Sequence, residues 1–190
     1  MSAPSDTKST GYHRIDPKND NRIRTDDVKP IEGEEFENYG LKEIMLRELC
    51  EKGWEKPSPV QAQAIPAILA GKDVLARSKN GTGKTGAYLI PCLNQVDPNE
   101  NCVQVLILVP ARELALQTGR IVKQFGESMK INSMCCFGGQ SLAEDLYRLR
   151  KGVHVMVGTA ARILDLTRRG HCNLSKCRYF VLDEADKMLS

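Results

Sequence analysis

The sequence predicts an α/β fold: a parallel sheet with helices packed on both faces. Three observations carry this reading. Short β-rich runs alternate with helical patterns through most of the chain. The runs Val105-Leu106-Ile107-Leu108-Val109 and Val153-His154-Val155-Met156-Val157 are continuous rather than alternating in character. One strand-to-helix junction is a glycine-rich loop. Strand–helix alternation builds crossovers, and crossovers join parallel strands. A strand that is apolar throughout needs cover on both sides.

Residues 1–35 come first. They are rich in Asp, Lys, Ser, Thr, Asn and Arg, and Ile15, Ile23, Val28 and Ile31 are almost their only large aliphatics. Such a composition cannot bury enough apolar surface to order itself, so a disordered polar tail is expected. From Phe36 the texture changes, and 36–190 reads as a single domain. Leu41, Ile44, Met45 and Leu49 have helical spacing, and Gly53 stops the helix of 41–52. Residues 59–69 read as a second helix. Strands and helices then alternate: Asp73–Ala76 and 84–96; Val103–Val109 and 111–126; Ile131–Cys136 and 141–150; Val153–Val157 and 161–168; Tyr179–Leu182 and 185 onward. There is no internal repeat.

The bulk numbers set limits. Hydrophobic residues make up 41% and charged residues 27%, which is ordinary for a globular domain. A net charge of +3 is too small to argue for nucleic acid by itself. No apolar run approaches the roughly 20 residues of a membrane span, and the polar N-terminus carries no secretory segment. Seven cysteines at 50, 92, 102, 135, 136, 172 and 177 form no paired framework. Several lie in apolar runs, which points to small core residues in a reducing compartment. His171, Cys172 and Cys177 lack a partner pair at zinc spacing. His154, inside an apolar strand, reads as a satisfied core residue.

Two segments carry chemistry. The loop Ser78-Lys79-Asn80-Gly81-Thr82-Gly83-Lys84-Thr85 follows a predicted strand and opens a predicted helix. Its glycines let backbone N–H groups turn around phosphate oxygens, and the helix aims its positive end at them. Lys84 is expected to reach the β- and γ-phosphates, and Thr85 to place its hydroxyl on Mg²⁺. The general phosphate-loop pattern asks for Gly at 78, where this chain has Ser. The second segment is Val181-Leu182-Asp183-Glu184-Ala185-Asp186, an acidic pair ending an apolar run. Asp183 is expected to hold Mg²⁺ through water, and Glu184 to polarise the attacking water of phosphoryl transfer. An acidic pair alone also suits a helix N-terminus. Beside the loop, the catalytic reading prevails, with Lys84, Asp183 and Glu184 in the central roles.

Over about residues 36–190 the chain resembles the DEAD-box ATP-dependent RNA helicases of superfamily 2. Asp183-Glu184-Ala185-Asp186 spells that family's name. Gly53-Trp54-Glu55-Lys56-Pro57-Ser58-Pro59-Val60-Gln61 resembles its Q motif, with Phe36 at the upstream aromatic position. The resemblance implies a RecA-like phosphate-loop domain in which Gln61 reads the adenine edge and Trp54 stacks on the ring. Amide and aromatic groups suit those tasks. The implied nucleotide contacts are therefore Phe36, Trp54, Gln61, Asn80, Gly81, Thr82, Gly83, Lys84 and Thr85, with ATP and Mg²⁺ as cofactors.

Pro110-Ala111-Arg112-Glu113-Leu114-Ala115 resembles motif Ia, Gly138-Gly139 the GG element, and Thr159-Ala160-Ala161-Arg162 motif Ib. In the family these loops hold an RNA backbone without base readout. The implied RNA contacts are Pro110, Arg112, Gly138, Gly139, Thr159 and Arg162. Three departures fall here: the family has Thr at 111, Pro at 160 and Gly at 161, and this chain has Ala at each. Ala161 adds a methyl where backbone should approach phosphate, so a weaker RNA grip than ATP grip is expected.

Lys79–Lys84, Gly86-Ala87-Tyr88-Leu89-Ile90-Pro91 and Arg162–Leu166 look most like the helicases of cytoplasmic mRNA decapping and translational repression. That likeness implies a cytoplasmic setting, including ribonucleoprotein granules, and partners among decapping or repression proteins, with no membrane. The family's second RecA-like domain supplies arginines worth about 10³–10⁵ in rate, and its Ser-Ala-Thr motif supplies a strand between the phosphate-loop strand and the one ending at Asp183. Neither occurs in these 190 residues. The chain is expected to be a RecA-like domain truncated before its last strands, poorly stable and nearly inactive alone. The rival reading is a catalytically inactive module that binds ATP or RNA.

Overall fold

The computed structural model describes residues 32–189. Nearly all of the expected polar tail lies outside them. The described elements begin with a 3₁₀ turn, Phe36–Tyr39, followed by α1 (Glu43–Glu51), α2 (Pro59–Leu69) and α3 (Lys84–Asn94). Four strand–helix pairs follow: β1 (Val105–Leu108) and α4 (Arg112–Gly126), β2 (Ser133–Cys136) and α5 (Leu142–Arg150), β3 (Val155–Gly158) and α6 (Ala160–Arg168), and β4 (Tyr179–Leu182) and α7 (Ala185–Leu189).

All the described pairings are parallel, in the order β2-β3-β1-β4. Leu106 lies opposite Met156 on one side and Phe180 on the other. Successive side chains alternate between faces. Val105, Ile107, Val155 and Val157 enter one apolar cluster with residues of α1, α3 and α4. Leu106, Met134, Cys136 and Met156 enter a second with Ile163 and Leu166 of α6. A single hand of crossover requires helices on opposite faces for steps in opposite directions. Helix α4 accordingly covers one face as the chain steps out to β2, and α6 the other as it returns past β1 to β4.

Two buried polar side chains of the sheet are paired. Gln104 accepts from the Asp97 amide at 2.9 Å and donates to the Asp97 and Glu100 carbonyls, closing the turn before β1. The Nδ1 of His154 accepts from the Asn132 amide at 3.0 Å. Burial holds this imidazole below the usual histidine range, and it remains the neutral acceptor that the bond requires. All seven cysteines are free thiols. Burial pushes those of Cys92 and Cys136 up to about 12, which makes them inert packing groups.

One expected strand is absent. Asp73–Ala76 is extended but pairs with no strand among the described residues. In the described sheet β4 is an edge strand, with β1 as its one strand neighbour. Apolar side chains of both segments stay in solvent. Val74 is 41% and Leu75 98% exposed, and Phe180 and Leu182 are 60% and 41% exposed. Thus β4 is covered on one face only, by Tyr179 and Val181 packing onto the α3 side.

Candidate active site

Parallel strands place all their carboxyl ends at one edge of a sheet, where ligands of open α/β folds bind. The loops after β1, β2, β3 and β4 carry Pro110 to Arg112, Gly138 to Gln140, Thr159 to Arg162, and Asp183 with Glu184. The topology therefore gathers four separate candidate segments at a common edge.

The glycine-rich loop enters α3 at its N-terminus. Gly81 and Gly83 have φ of 81° and 91°, a left-handed conformation that side chains rarely adopt. Gly83 also faces the Gln61 side chain so closely that a Cβ there would lie 2.7 Å from Nε2. Thr82 is buried; its hydroxyl donates to the Lys79 carbonyl at 2.8 Å and meets the Ser78 hydroxyl at 2.7 Å. Ser78, the departure from the phosphate-loop pattern, thus braces the loop. Lys84 Nζ donates to the Ser78 carbonyl at 2.8 Å and to Asn80 Oδ1 at 3.3 Å. Both are neutral oxygens, so a phosphate would offer the ammonium a stronger, charge-assisted acceptor.

The acidic turn closes β4. The Asp183 amide donates to the Leu108 carbonyl, extending the ladder by one bond of 3.0 Å. Its Oδ2 accepts from the Tyr88 hydroxyl of α3 at 2.8 Å, while Oδ1 has no partner among the described residues. Glu184 has φ of 53°, one of two described non-glycine residues in the left-handed region. That conformation costs about 1 kcal/mol or more and is retained mainly at functional turns. Its carboxylate pairs with Lys187 at 2.7 Å on the surface. The oxygen donors of Thr85 and Asp183, both beside the Tyr88 phenol, suit a hard divalent cation.

The residues to which the resemblance assigns the adenine make contacts within the protein. Gln61 is buried, with Oε1 accepting from the Ser58 amide at 3.0 Å and Nε2 donating to the Gly83 carbonyl at 3.1 Å. Its amide locks α2 to the phosphate loop. Trp54 packs edge-on to Phe125 and fills the space at Gly86, where a Cβ would meet its ring at 2.5 Å. Phe36 is 2% exposed and stands edge-on to Tyr39. Phe36 lies in the apolar core and the half-buried Trp54 packs against it, while both polar ends of the Gln61 amide are bonded to the protein.

On the remaining loops, Gly138 and Gly139 are exposed, and a Cβ at either would meet nothing within 4 Å. Ala160 and Ala161 are also exposed, and Pro110 and Thr159 half-buried. Arg112 is exposed; its guanidinium lies 4.9 Å from the centre of the Phe137 ring, beside the glycine pair. Stacking leaves its N–H rim free to donate. Arg162 is committed to the protein instead. Its Nε donates to the buried Asp145 at 2.9 Å, Nη2 to the Gln140 carbonyl at 3.2 Å, and Nη1 lies 3.9 Å from Asp165. The two arginines grip the 137–140 segment from either side.

Sequence reading missed Tyr88, Phe137 and Asp145. Asp145 had a signal: it falls on the stripe of Leu142, Leu146 and Leu149, where a carboxylate needs a partner. Tyr88, one turn after Thr85, could have been found from its spacing. Phe137 gave none beyond an aromatic before two glycines.

A phosphate loop feeding a helix N-terminus, with acids ending a strand whose turn bonds to that same helix, is the architecture of a P-loop nucleotide-binding α/β domain. The family description "DEAD/DEAH box helicase" matches residues 58–190. The chain belongs to this family. It is 53% identical over 174 residues to DEAD-box ATP-dependent RNA helicase 6 of Arabidopsis thaliana, covering 92% of this chain and 33% of that protein. It is 52% identical to ATP-dependent RNA helicase DHH1 of Scheffersomyces stipitis, with 92% and 34% covered. A crystal structure of a DEAD box protein from the hyperthermophile Methanococcus jannaschii aligns with a TM-score of 0.75 at 36% identity, over 82% of this chain and 42% of that one. The chain thus spans about a third of the length of these curated relatives.

Proposed function

We propose that this chain is the first ATP-binding part of an ATP-dependent RNA helicase, gripping ATP with Mg²⁺ and an RNA backbone to remodel RNA or ribonucleoprotein. The observation that carries the reading is the bond from Tyr88 on the phosphate-loop helix to Asp183 at the end of β4. It joins the two halves of the triphosphate site, which lie about a hundred residues apart in sequence.

In this reading the loop amides of 80–85 and Lys84 hold the phosphates, and Thr85 and Asp183 hold Mg²⁺, Asp183 through water. When bound there, a divalent ion would supply charge neutralisation to the phosphates. Glu184 orients the attacking water. Gln61, by bonding the Gly83 carbonyl, can report adenine occupancy to the loop; reading the adenine edge requires it to exchange one of its present partners. Arg112, Gly138, Gly139, Pro110 and Thr159 offer donors and open backbone to RNA phosphates, and Arg162 shapes the loop rather than touching RNA. The relatives that the chain matches include DHH1 and ddx6 helicases by name. With the sequence likeness, these names support a role in cytoplasmic mRNA decapping or repression and partners from that machinery. Division into a tail of 1–35 and a domain of 36–190 completes the proposal.

The test is titration of the protein with a fluorescent adenine nucleotide, with and without Mg²⁺, alongside RNA-stimulated phosphate release by the wild type, Lys84→Ala and Glu184→Gln. Saturable, magnesium-sensitive binding lost in Lys84→Ala is expected. Absence of such binding would overturn the proposal. Binding with identical phosphate release by all three proteins would favour the inactive binding module.

A further inference from the structure

The segment Gly86–Pro91 holds a tyrosine to which neither the phosphate loop nor the acidic turn assigns a task. Tyr88 lies four residues after Lys84 and three after Thr85 on α3, so the three share one helix face. Its hydroxyl donates to Asp183 Oδ2 at 2.8 Å. The hydroxyls of Thr85 and Thr118 flank the same phenol, Thr118 being buried on α4. The ring packs against the apolar core while its oxygen emerges beside the acidic turn.

We propose that Tyr88 is a positioning residue of the nucleotide site, whose hydroxyl fixes the rotation of the Asp183 carboxylate and leaves Oδ1 as the oxygen that faces the ligand. Three points support it. An aspartate at the end of an edge strand, one residue past its last paired position, has little else to set its χ angles. The hydroxyl is the sole described hydrogen-bond partner of that carboxylate. The same phenol also adjoins Thr85, so one side chain spans both donors assigned to the divalent ion. Phenylalanine would fill the same space without the hydroxyl, so the packing of α3 does not by itself require a tyrosine. A hydrogen bond to a charged acceptor that holds a metal donor in place is the outer-sphere role whose loss weakens ion binding about 10–100-fold in metalloproteins. A site bound through water should sit at the lower end of that range.

The inference rests on the proposed nucleotide site, and its test separates the two. Tyr88→Phe and wild type would be titrated with Mg²⁺ at fixed fluorescent adenine nucleotide, then with nucleotide in excess chelator, and both would be unfolded thermally without ligand. The expected result is a Mg²⁺ requirement raised about 3–10-fold in Tyr88→Phe, with metal-free nucleotide affinity and midpoint of unfolding close to wild type. In an Asp183→Asn background the same substitution should add little, because its target has lost the metal-holding charge. If wild type binds nucleotide in a Mg²⁺-dependent way and Tyr88→Phe has the same Mg²⁺ requirement, the positioning role is overturned while the site stands. Equal weakening with and without Mg²⁺, or a matching fall in unfolding midpoint, would show a merely structural tether and also overturn it. Absence of Mg²⁺-dependent binding in wild type would overturn both.

Discussion

Lys130 and Glu184 share an unusual backbone and differ in what surrounds it. Both have positive φ, 58° and 53°, without being glycine. Lys130 is exposed in the turn between α4 and β2 and forms no part of the site. A left-handed L-residue costs about 1–2 kcal/mol, and glycine returns up to about 1 kcal/mol of that through the unfolded chain. Lys130→Gly should therefore stabilise the protein by about 0.5–1 kcal/mol in urea unfolding. His154 gives a pH-dependent counterpart. Its folded proton affinity lies below the ordinary histidine value of 6.5, so the unfolded chain binds the proton more readily. The stability it supports is present above that value and is lost as pH falls through the lower folded one, by at most about 1.4 kcal/mol per pH unit. His154→Asn retains an acceptor for the Asn132 amide and should flatten the slope of stability against pH below about 6.5.

Among the elements, α6 shows how a motif can be divided between grip and scaffold. Its first residues, Ala160 and Ala161, are exposed, whereas Arg162 is sequestered by Asp145. Removing Arg162 alone leaves a buried carboxylate without its cation, a loss of about 3–5 kcal/mol. Arg162→Leu should lower the denaturant midpoint accordingly, and Arg162→Leu with Asp145→Leu should recover most of it. Ala160 is the first residue of α6, a position that tolerates proline well. Ala160→Pro with Ala161→Gly should strengthen binding of single-stranded RNA if those methyls limit phosphate approach. Unchanged affinity in a salt-controlled titration would remove that idea. The helices were legible in sequence to within two residues at each end, because their apolar spacing is set by packing on the sheet. The glycine-rich turn entering α3 was equally legible, since Gly81 and Gly83 take the left-handed conformation that such a loop needs. Partner choice was not: Arg162 and Arg112 look alike in a sequence, and only the burial of Asp145 and the ring of Phe137 tell them apart.

At the level of the whole molecule, the sheet stops at β4 with one face bare. Phe180 and Leu182 leave an apolar surface on an edge strand, and Val74 and Leu75 are further exposed aliphatics in an unpaired extended segment. Exposed edges of this type invite pairing with other chains. The isolated 190-residue chain should self-associate in sedimentation experiments, and Phe180→Lys with Leu75→Lys should shift it toward monomer without changing far-UV helical content. A monomer with ordinary cooperative unfolding would contradict this. The missing ladder also explains the one element misread from sequence. Asp73–Ala76 has a strand's composition, but a strand is a relationship between neighbours, and composition cannot supply the neighbour.

The common direction of the strands has a practical consequence. Since the nucleotide and RNA segments all leave from one rim, the opposite rim, formed by the turns at 97–104, 127–132, 151–154 and 173–178, stands a full strand length away. Dyes, purification handles or surface tethers could be attached there for single-molecule work. An anchor at Asn99 or Asn173, both on that far side, would leave the working end facing freely into solution.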